Sequence, residues 1–202
     1  MPRRETPKVR EEEILNACEK LYEKMNFRDV TIKEISAQTS CSRPSIYNYF
    51  QTKEEIFLRL FEREYLLWCD DLGKIDADVV KADKLPEKLA RSLEKRKLML
   101  KLLAVNLYDM EENSRIEQLI SFKKAYGKSI ELFGDILKNA FPYKTDQERR
   151  RILLTAFQFL HGVFPYAHAT KKQIKAMDAV GIGHDNGSIY EISLVGLNMI
   201  LK

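Results

Sequence analysis

Residues 31–57 read TIKEISAQTSCSRPSIYNYFQTKEEIF and carry three helix-start signals. Thr31 with Glu34, and Thr52 with Glu55, have the spacing of a capping box, in which the hydroxyl accepts the third amide and the Glu reaches back. Ser42 suits an N-cap, and Arg43-Pro44 sit just inside the helix that follows, where a missing N–H costs little. These signals predict a helix over about 32–39, a turn at Ser40-Cys41, a helix over about 43–49 and a longer helix from 53. Two short helices joined by a tight turn fit a helix-turn-helix, whose second helix enters the DNA major groove. Ile32, Ile35, Ile46 and Phe50 are spaced to face one small shared core.

The charge pattern agrees. Glu34 and Glu54 bracket nineteen residues without an acid, in a chain of which 32% is charged. That window holds Arg43, Lys53, Tyr47, Asn48, Tyr49 and several hydroxyls, groups that hydrogen-bond phosphates and base edges. The total says less. Net charge is +4, and residues 1–60 hold eleven Lys/Arg against ten Asp/Glu, so the signal lies in distribution.

The run Ile14-Leu15…Ala17…Leu21-Tyr22…Phe27…Thr31-Ile32…Ile35-Ser36…Ser42-Arg43-Pro44-Ser45-Ile46-Tyr47-Asn48-Tyr49-Phe50-Gln51-Thr52-Lys53-Glu54 resembles the N-terminal domain of TetR-family transcriptional regulators, over roughly residues 8–68. Two positions depart from the family pattern. Asn26 precedes Phe27 where the family usually has Gly, and Ser40 stands in the turn where Gly is common. The resemblance implies that Arg43, Pro44, Ser45 and Tyr47 lie toward the bases, with Thr31, Tyr49 and Lys53 on phosphates, Asn48 in either role and Ser42 also in the DNA-binding set. The alternatives are core packing for the Tyr47 ring and a plain helix-start lysine for Lys53.

Outward from this stretch, 202 residues with only eight Gly and six Pro, in long runs at helical spacing, argue an all-α chain. The expected architecture has about nine to ten helices. A three-helix helix-turn-helix head (1–52) precedes a helical ligand-binding and dimerisation body (53–202). Residues 8–25 carry the stripe Ile14, Cys18, Leu21, Tyr22 and Met25, and Glu11–Glu13 read as a solvated first turn favoured by the helix dipole. Arg3, Arg4, Lys8 and Arg10 form either a basic arm for the minor groove or a frayed tail. No apolar segment there reads as a signal peptide. Three cysteines without CxxC spacing fit a reducing cytosol, hence a cytoplasmic location, and a redox role would need an exposed thiolate.

The helix from Lys53 to about 72 carries Phe57, Phe61, Tyr65 and Trp68. Such a stripe is either plain core or, in its C-terminal half, one wall of a ligand cavity. Tyr108, Phe122, Phe157 and His161 complete the set of pocket candidates, for an unknown small-molecule effector. Residues 73–85 read as a connector or broken helix, and Pro86 suits the next helix start. The seven bases and two acids of 84–101 read as a solvated face or a basic flank near DNA. Residues 96–110 fit a helix buried on more than one side, and Ser114 with Glu117 predicts a helix over about 115–140.

Ile152–Thr170 is nineteen residues free of Asp, Glu, Lys and Arg, but its Gln, Pro and two His suit lipid poorly. A helix covered by its own core and by a second subunit fits better, with Gly162 allowing close approach. The final helix, 188–201, is apolar nearly all round and holds Gly196. Helices around 146–164 and 188–201 therefore predict a homodimer, the arrangement that the resemblance also implies.

His161, His168 and His184 lack metal-site spacing, and no phosphate-binding loop or nucleophile motif argues an enzyme, cofactor or metal. The expected function is a DNA-binding regulator, a repressor released by an effector, acting on a double-stranded and palindromic operator. Two readings stand beside it: a constitutive binder without ligand, and a helical protein-interaction module.

Overall fold

The computed structural model describes residues 6–77, 82–104, 107–183 and 187–202, of which the side chains at 76–77 are left aside. Among them are eleven helices: α1 (Pro7–Lys24), α2 (Ile32–Ala37), α3 (Arg43–Tyr47), α4 (Lys53–Ala77), α5 (Leu85–Glu94), α6 (Lys97–Ala104), α7 (Leu107–Glu112), α8 (Ile116–Ala140), α9 (Asp146–Ala167), α10 (Lys171–Ala179) and α11 (Ile189–Ile200). The all-α expectation holds. Arg3, Arg4 and His184 lie outside the described residues.

Two compact units are formed, one by Met1–Arg63 with Val105–Ala125, the other by Glu64–Ala104 with Tyr126–Lys202. The first is larger than the expected head, because the start of α4, α7 and the start of α8 belong to it. Its core follows from local pattern. Ile14, Leu15, Cys18 and Tyr22 line the buried face of α1, and Ile35 of α2, Ile46 of α3 and Phe50 just beyond α3 are buried with them. The Phe57 ring meets Tyr22 edge-on at 5.0 Å and Phe27 at 4.6 Å. Ile32 is only half-buried.

The acidic triplet departs from its reading as a solvated turn. Pro7 starts α1 early, so Glu11–Glu13 lie beyond the first turn, and each finds its own partner. Glu11 accepts from Arg59 Nε at 2.7 Å, Glu12 from Arg63 Nη1 at 3.1 Å, and Glu13 from the Ser40 amide. Consecutive residues on a helix point about 100° apart, which is why three neighbours serve three places.

In the second unit α11 packs on α5 and α9, and α6 packs on α9. The helix α4 runs past the connector expected at 73. A Cβ on Gly73 would meet nothing within 4 Å, so this glycine is a tolerated position in a helix held by buried Trp68, Leu72 and Ile75. The leucine-dense stretch buries Met99, Leu100, Leu102 and Leu103 in α6. From 84–101, Arg96 turns inward to Asp71, with Nη2 to Oδ2 at 2.7 Å, so this run is not wholly a solvated face. Pro165 lies inside the last turn of α9, and the His168 ring beyond it stacks on Phe164 at 4.5 Å. The helix α10 was not expected. A full capping box at Thr170–Gln173 starts it, and its only inward apolar residues, Ile174 and Met177, are half-buried, a pair too short to read as a stripe.

All three cysteines are free and buried, and burial pushes each thiol up from its ordinary pKa. That is the reverse of what a redox-sensing thiolate needs. No helix among the described residues is long and apolar enough to cross a membrane.

Candidate nucleic-acid interface

The turn between α2 and α3 is built by side chains. Ser36 Oγ donates to the Cys41 carbonyl at 2.9 Å, and Thr39 Oγ1 accepts from the Cys41 amide at 3.2 Å. Glu13, from α1, accepts from the Ser40 amide and from Ser40 Oγ, the latter at 2.9 Å. The Ser40 amide, followed by the Ser40 and Cys41 side chains, holds the Glu13 carboxyl below the usual carboxylate range, against a smaller opposing effect of burial. Where the family pattern has Gly, Ser40 thus supplies a hydroxyl that Glu13 uses.

Each helix start then presents its caps as read. Thr31 accepts from the Glu34 amide at 3.3 Å and Ser42 from the Ser45 amide at 3.4 Å. Both boxes are incomplete. One Glu34 oxygen, Oε2, is buried without a hydrogen-bond partner. Glu55 reaches back to the Gln51 amide at 2.7 Å, one residue before the Thr52 cap.

These caps bring the first turns of α2, α3 and α4 around a groove of about 370 Å³ lined by Thr31, Lys33, Arg43, Tyr47, Gln51 and Lys53 among others. Three cations thus share one concave face whose single lining acid is Glu54. Of the sequence-derived residues, Thr31, Ser42, Arg43, Pro44 and Asn48 are exposed, and Ser45 and Tyr49 are half-buried. Tyr47 is 54% exposed, so its ring does not pack into the core. Lys53 differs from a free helix-start lysine: its Nζ donates to the Phe27 carbonyl at 2.8 Å, lies 3.4 Å from that of Arg28, and sits 4.6 Å above the Phe27 ring. Lys33 and Gln51 were missed; both neighbour capping residues, and that adjacency was the available signal.

Arg115 was also missed. From the loop between α7 and α8 its Nε donates to Glu55 Oε1 at 2.7 Å, its Nη2 to Glu55 Oε2 at 2.9 Å, and the same Nη2 to the Tyr49 carbonyl at 3.2 Å. Burial alone would raise the Glu55 pKa; Arg115 and the Gln51 and Arg115 amides outweigh it and hold the carboxyl below its ordinary value. Ser114 does not simply cap α8, since its hydroxyl donates back to the Met110 carbonyl at 2.6 Å.

The pocket candidates separate. In the first unit Phe61 and Phe122 are buried with centroids 5.0 Å apart, whereas Tyr108 is 90% exposed on short α7, which buries only Met110. In the second, Trp68 lies 5.8 Å from Phe157 and Tyr65 packs edge-on to Tyr126 at 5.5 Å, forming a packed aromatic core. His161 is exposed on α9. As cavity-lining candidates Tyr108 and His161 are therefore corrected.

An apolar groove of about 450 Å³ runs between α9 and α11, lined by Phe159, Gly162, Tyr166, Ile192, Val195 and Gly196 among others. Leu154, Tyr166, Val195 and Met199 are exposed on these two helices.

Two family models match the sequence. Residues 14–60 match bacterial regulatory proteins of the tetR family, and residues 62–185 match the tetracyclin repressor-like C-terminal domain. No curated protein matches the sequence. Among solved structures, the fatty acid degradation regulator FadR from Bacillus halodurans aligns with TM-score 0.65 and 14% identity, covering 98% of this chain and 97% of that one. FadR from Bacillus subtilis in complex with stearoyl-CoA aligns with TM-score 0.62 and 16% identity, over 94% and 97%. Thermus thermophilus FadR in complex with lauroyl-CoA aligns with TM-score 0.58 and 17% identity, over 95% and 93%. At these identities the likeness is one of fold.

Proposed function

The chain belongs to the TetR family of DNA-binding transcriptional regulators, and from that premise we propose that it is a homodimeric repressor released by a small-molecule effector. The observation that carries the DNA-contact reading is the groove that gathers Thr31, Lys33, Arg43, Tyr47 and Lys53. Arg43 and Tyr47, exposed on α3, meet base edges: the guanidinium suits guanine O6 and N7, and the phenol ring and Pro44 offer apolar surface to thymine methyls. Thr31, Lys33 and Tyr49 meet phosphate, and the amide ends of α2 and α4 add their dipoles.

The apolar groove between α9 and α11 supports dimerisation through these helices. A two-fold dimer presents two copies of α3, and these must match half-sites about one duplex turn apart, roughly 34–36 Å, on a palindromic operator. A ligand that prefers a different spacing of the two copies weakens binding by linkage. Long-chain acyl-CoA thioesters, named with two of the similar structures, are the first effectors to assay.

The test is selection from a random duplex pool with the full-length protein, followed by gel shift at two salt concentrations. A palindromic sequence whose affinity falls steeply with salt is expected. A chain that retains no duplex sinks the proposal.

A further inference from the structure

Arg115 lies sixty residues along the chain from the carboxylate it grips. We infer that Arg115 is a positioning residue for DNA binding, which fixes the recognition helix α3 from outside the helix-turn-helix by way of Glu55 and the Tyr49 carbonyl. This rests on the assignment of α3 as the helix that reads DNA.

The argument begins with residues 48–52, the link between α3 and α4. Three of these five residues are held by Glu55 or by the loop at 113–115. The Tyr49 carbonyl accepts from Arg115 Nη2 at 3.2 Å, the Gln51 amide donates to Glu55 Oε2 at 2.7 Å, and the Thr52 hydroxyl donates to the Asn113 carbonyl at 2.9 Å. The grip on Glu55 is itself threefold, since the Arg115 amide donates to Oε1 at 3.0 Å beside the two guanidinium bonds. Two of the three ties on the path from the end of α3 to the start of α4 thus run through the Glu55 carboxylate or the Arg115 guanidinium.

The Glu55 side chain is buried, while its partner Arg115 is partly exposed. A buried carboxylate that loses its cation leaves an uncompensated charge, so it must either draw in water or move. Either response releases the Gln51 amide and the turn that aims the base-reading residues Arg43 and Tyr47 of α3. Charge alone does not account for the geometry. Arg115 uses separate N–H groups on the two carboxylate oxygens, a fork that an ammonium cannot reproduce. Because the bonds end on backbone atoms of the link, they act on the direction of α3 and not on its composition.

The experiment uses the full-length dimer and the duplex that the wild type selects from a random pool. Arg115→Ala is expected to lower affinity for that duplex tenfold or more, while affinity for random duplex stays within about twofold and the slope of log affinity against log salt is unchanged. Arg115→Lys, which keeps the charge and loses the fork, is expected to show an intermediate loss. In a cycle with Glu55→Gln, the double variant Glu55→Gln/Arg115→Ala should lose no more than the worse single variant. Wild-type affinity in both Arg115 variants overturns the inference, as does a salt slope shallower by about one, which marks a direct phosphate contact. Losses that multiply in the double variant overturn it too. Should Arg115→Ala fail to fold by circular dichroism, Arg115→Lys decides by the same criteria. Failure of the wild type to select any duplex sinks the DNA-contact reading itself, a result distinct from selective binding that ignores Arg115.

Discussion

The Lys53 ammonium bonds the Phe27 carbonyl at 2.8 Å and lies 4.6 Å above the ring of the same residue. The first residue of α4 is thereby tied to the turn that follows α1, across twenty-six positions of sequence. A lysine read only as a phosphate contact would leave stability unchanged on removal. Here a charged hydrogen bond and a cation–π contact are both lost. At a half-buried site these amount to about 1–2 kcal/mol together. Lys53→Ala is therefore expected to lower Tm by about 3–6 °C, measured at fixed protein concentration because dimer melting depends on it. An unchanged Tm would show that the ammonium is free in solution. A fall in affinity for specific and random duplex alike should accompany the loss.

On the proposed function, Arg43 and Tyr49 divide the work of binding. Arg43 is exposed at the start of α3, while Tyr49 is half-buried beyond its end. Arg43→Ala is expected to lose about 1–3 kcal/mol of discrimination at one base pair of the selected operator. Tyr49→Phe removes the hydroxyl proposed to bond a phosphate and should weaken specific and random duplexes by the same factor. Competition gel shifts against single-base variants of the operator separate the two. Equal losses of the same kind in both variants would refute the division.

The turn at Ser40 titrates with Glu13. The folded-state pKa of Glu13 is lowered, chiefly by the Ser40 amide, from an ordinary value of 4.5. A depressed carboxylate contributes stability above the unfolded pKa, and that contribution is lost as pH falls through the folded value. Thermal melts of the wild type should therefore fall through this acidic range. Glu13→Gln is expected to be less stable than the wild type at neutral pH, with the gap closing in acid. A gap that stays constant with pH would remove the ionised carboxylate from the account of this turn.

What the sequence made legible was local. Thr31 and Ser42 cap where their spacing says, because a cap is a bond between residues three apart. The α1 stripe follows from an apolar period read over a few turns, and the α8 span was legible from Ser114 and Glu117 although the Ser114 hydroxyl bonds back to Met110. The pairings of Glu13 with Ser40 and Glu55 with Arg115 span twenty-seven and sixty positions. Neither partner is distinctive in type, so only the fold brings them together. Tyr108 was misread for a related reason: an aromatic beside a leucine-dense run suggests burial, but a six-residue helix that buries Met110 alone leaves it outside. The sequence could offer both roles for the Trp68 stripe, since core packing and cavity lining share one spacing.

Two glycines test the dimer face. A Cβ on Gly196 would stand 2.3 Å from Phe159 Cζ, so this glycine serves the chain's own packing of α11 on α9. A Cβ on Gly162, one turn along α9 from Phe159, would meet nothing within 4 Å. Judged within one protomer, Gly162→Ala removes a helix-interior glycine and should stabilise α9 by about 1 kcal/mol. If a second copy covers the groove that Gly162 lines, the added methyl instead meets that copy, and the two effects oppose one another. Overpacking at a close interface costs about 1–3 kcal/mol, so the dimer is expected to weaken while the protomer's helix content is unchanged. Gly196→Ala should weaken it as well, because the methyl displaces the Phe159 ring, which lines the same groove. Sedimentation equilibrium with circular dichroism checks both variants. A Gly162→Ala protein with raised Tm and wild-type dimer affinity would show that some other face joins the subunits, and the half-site spacing would then have to be derived again from that face.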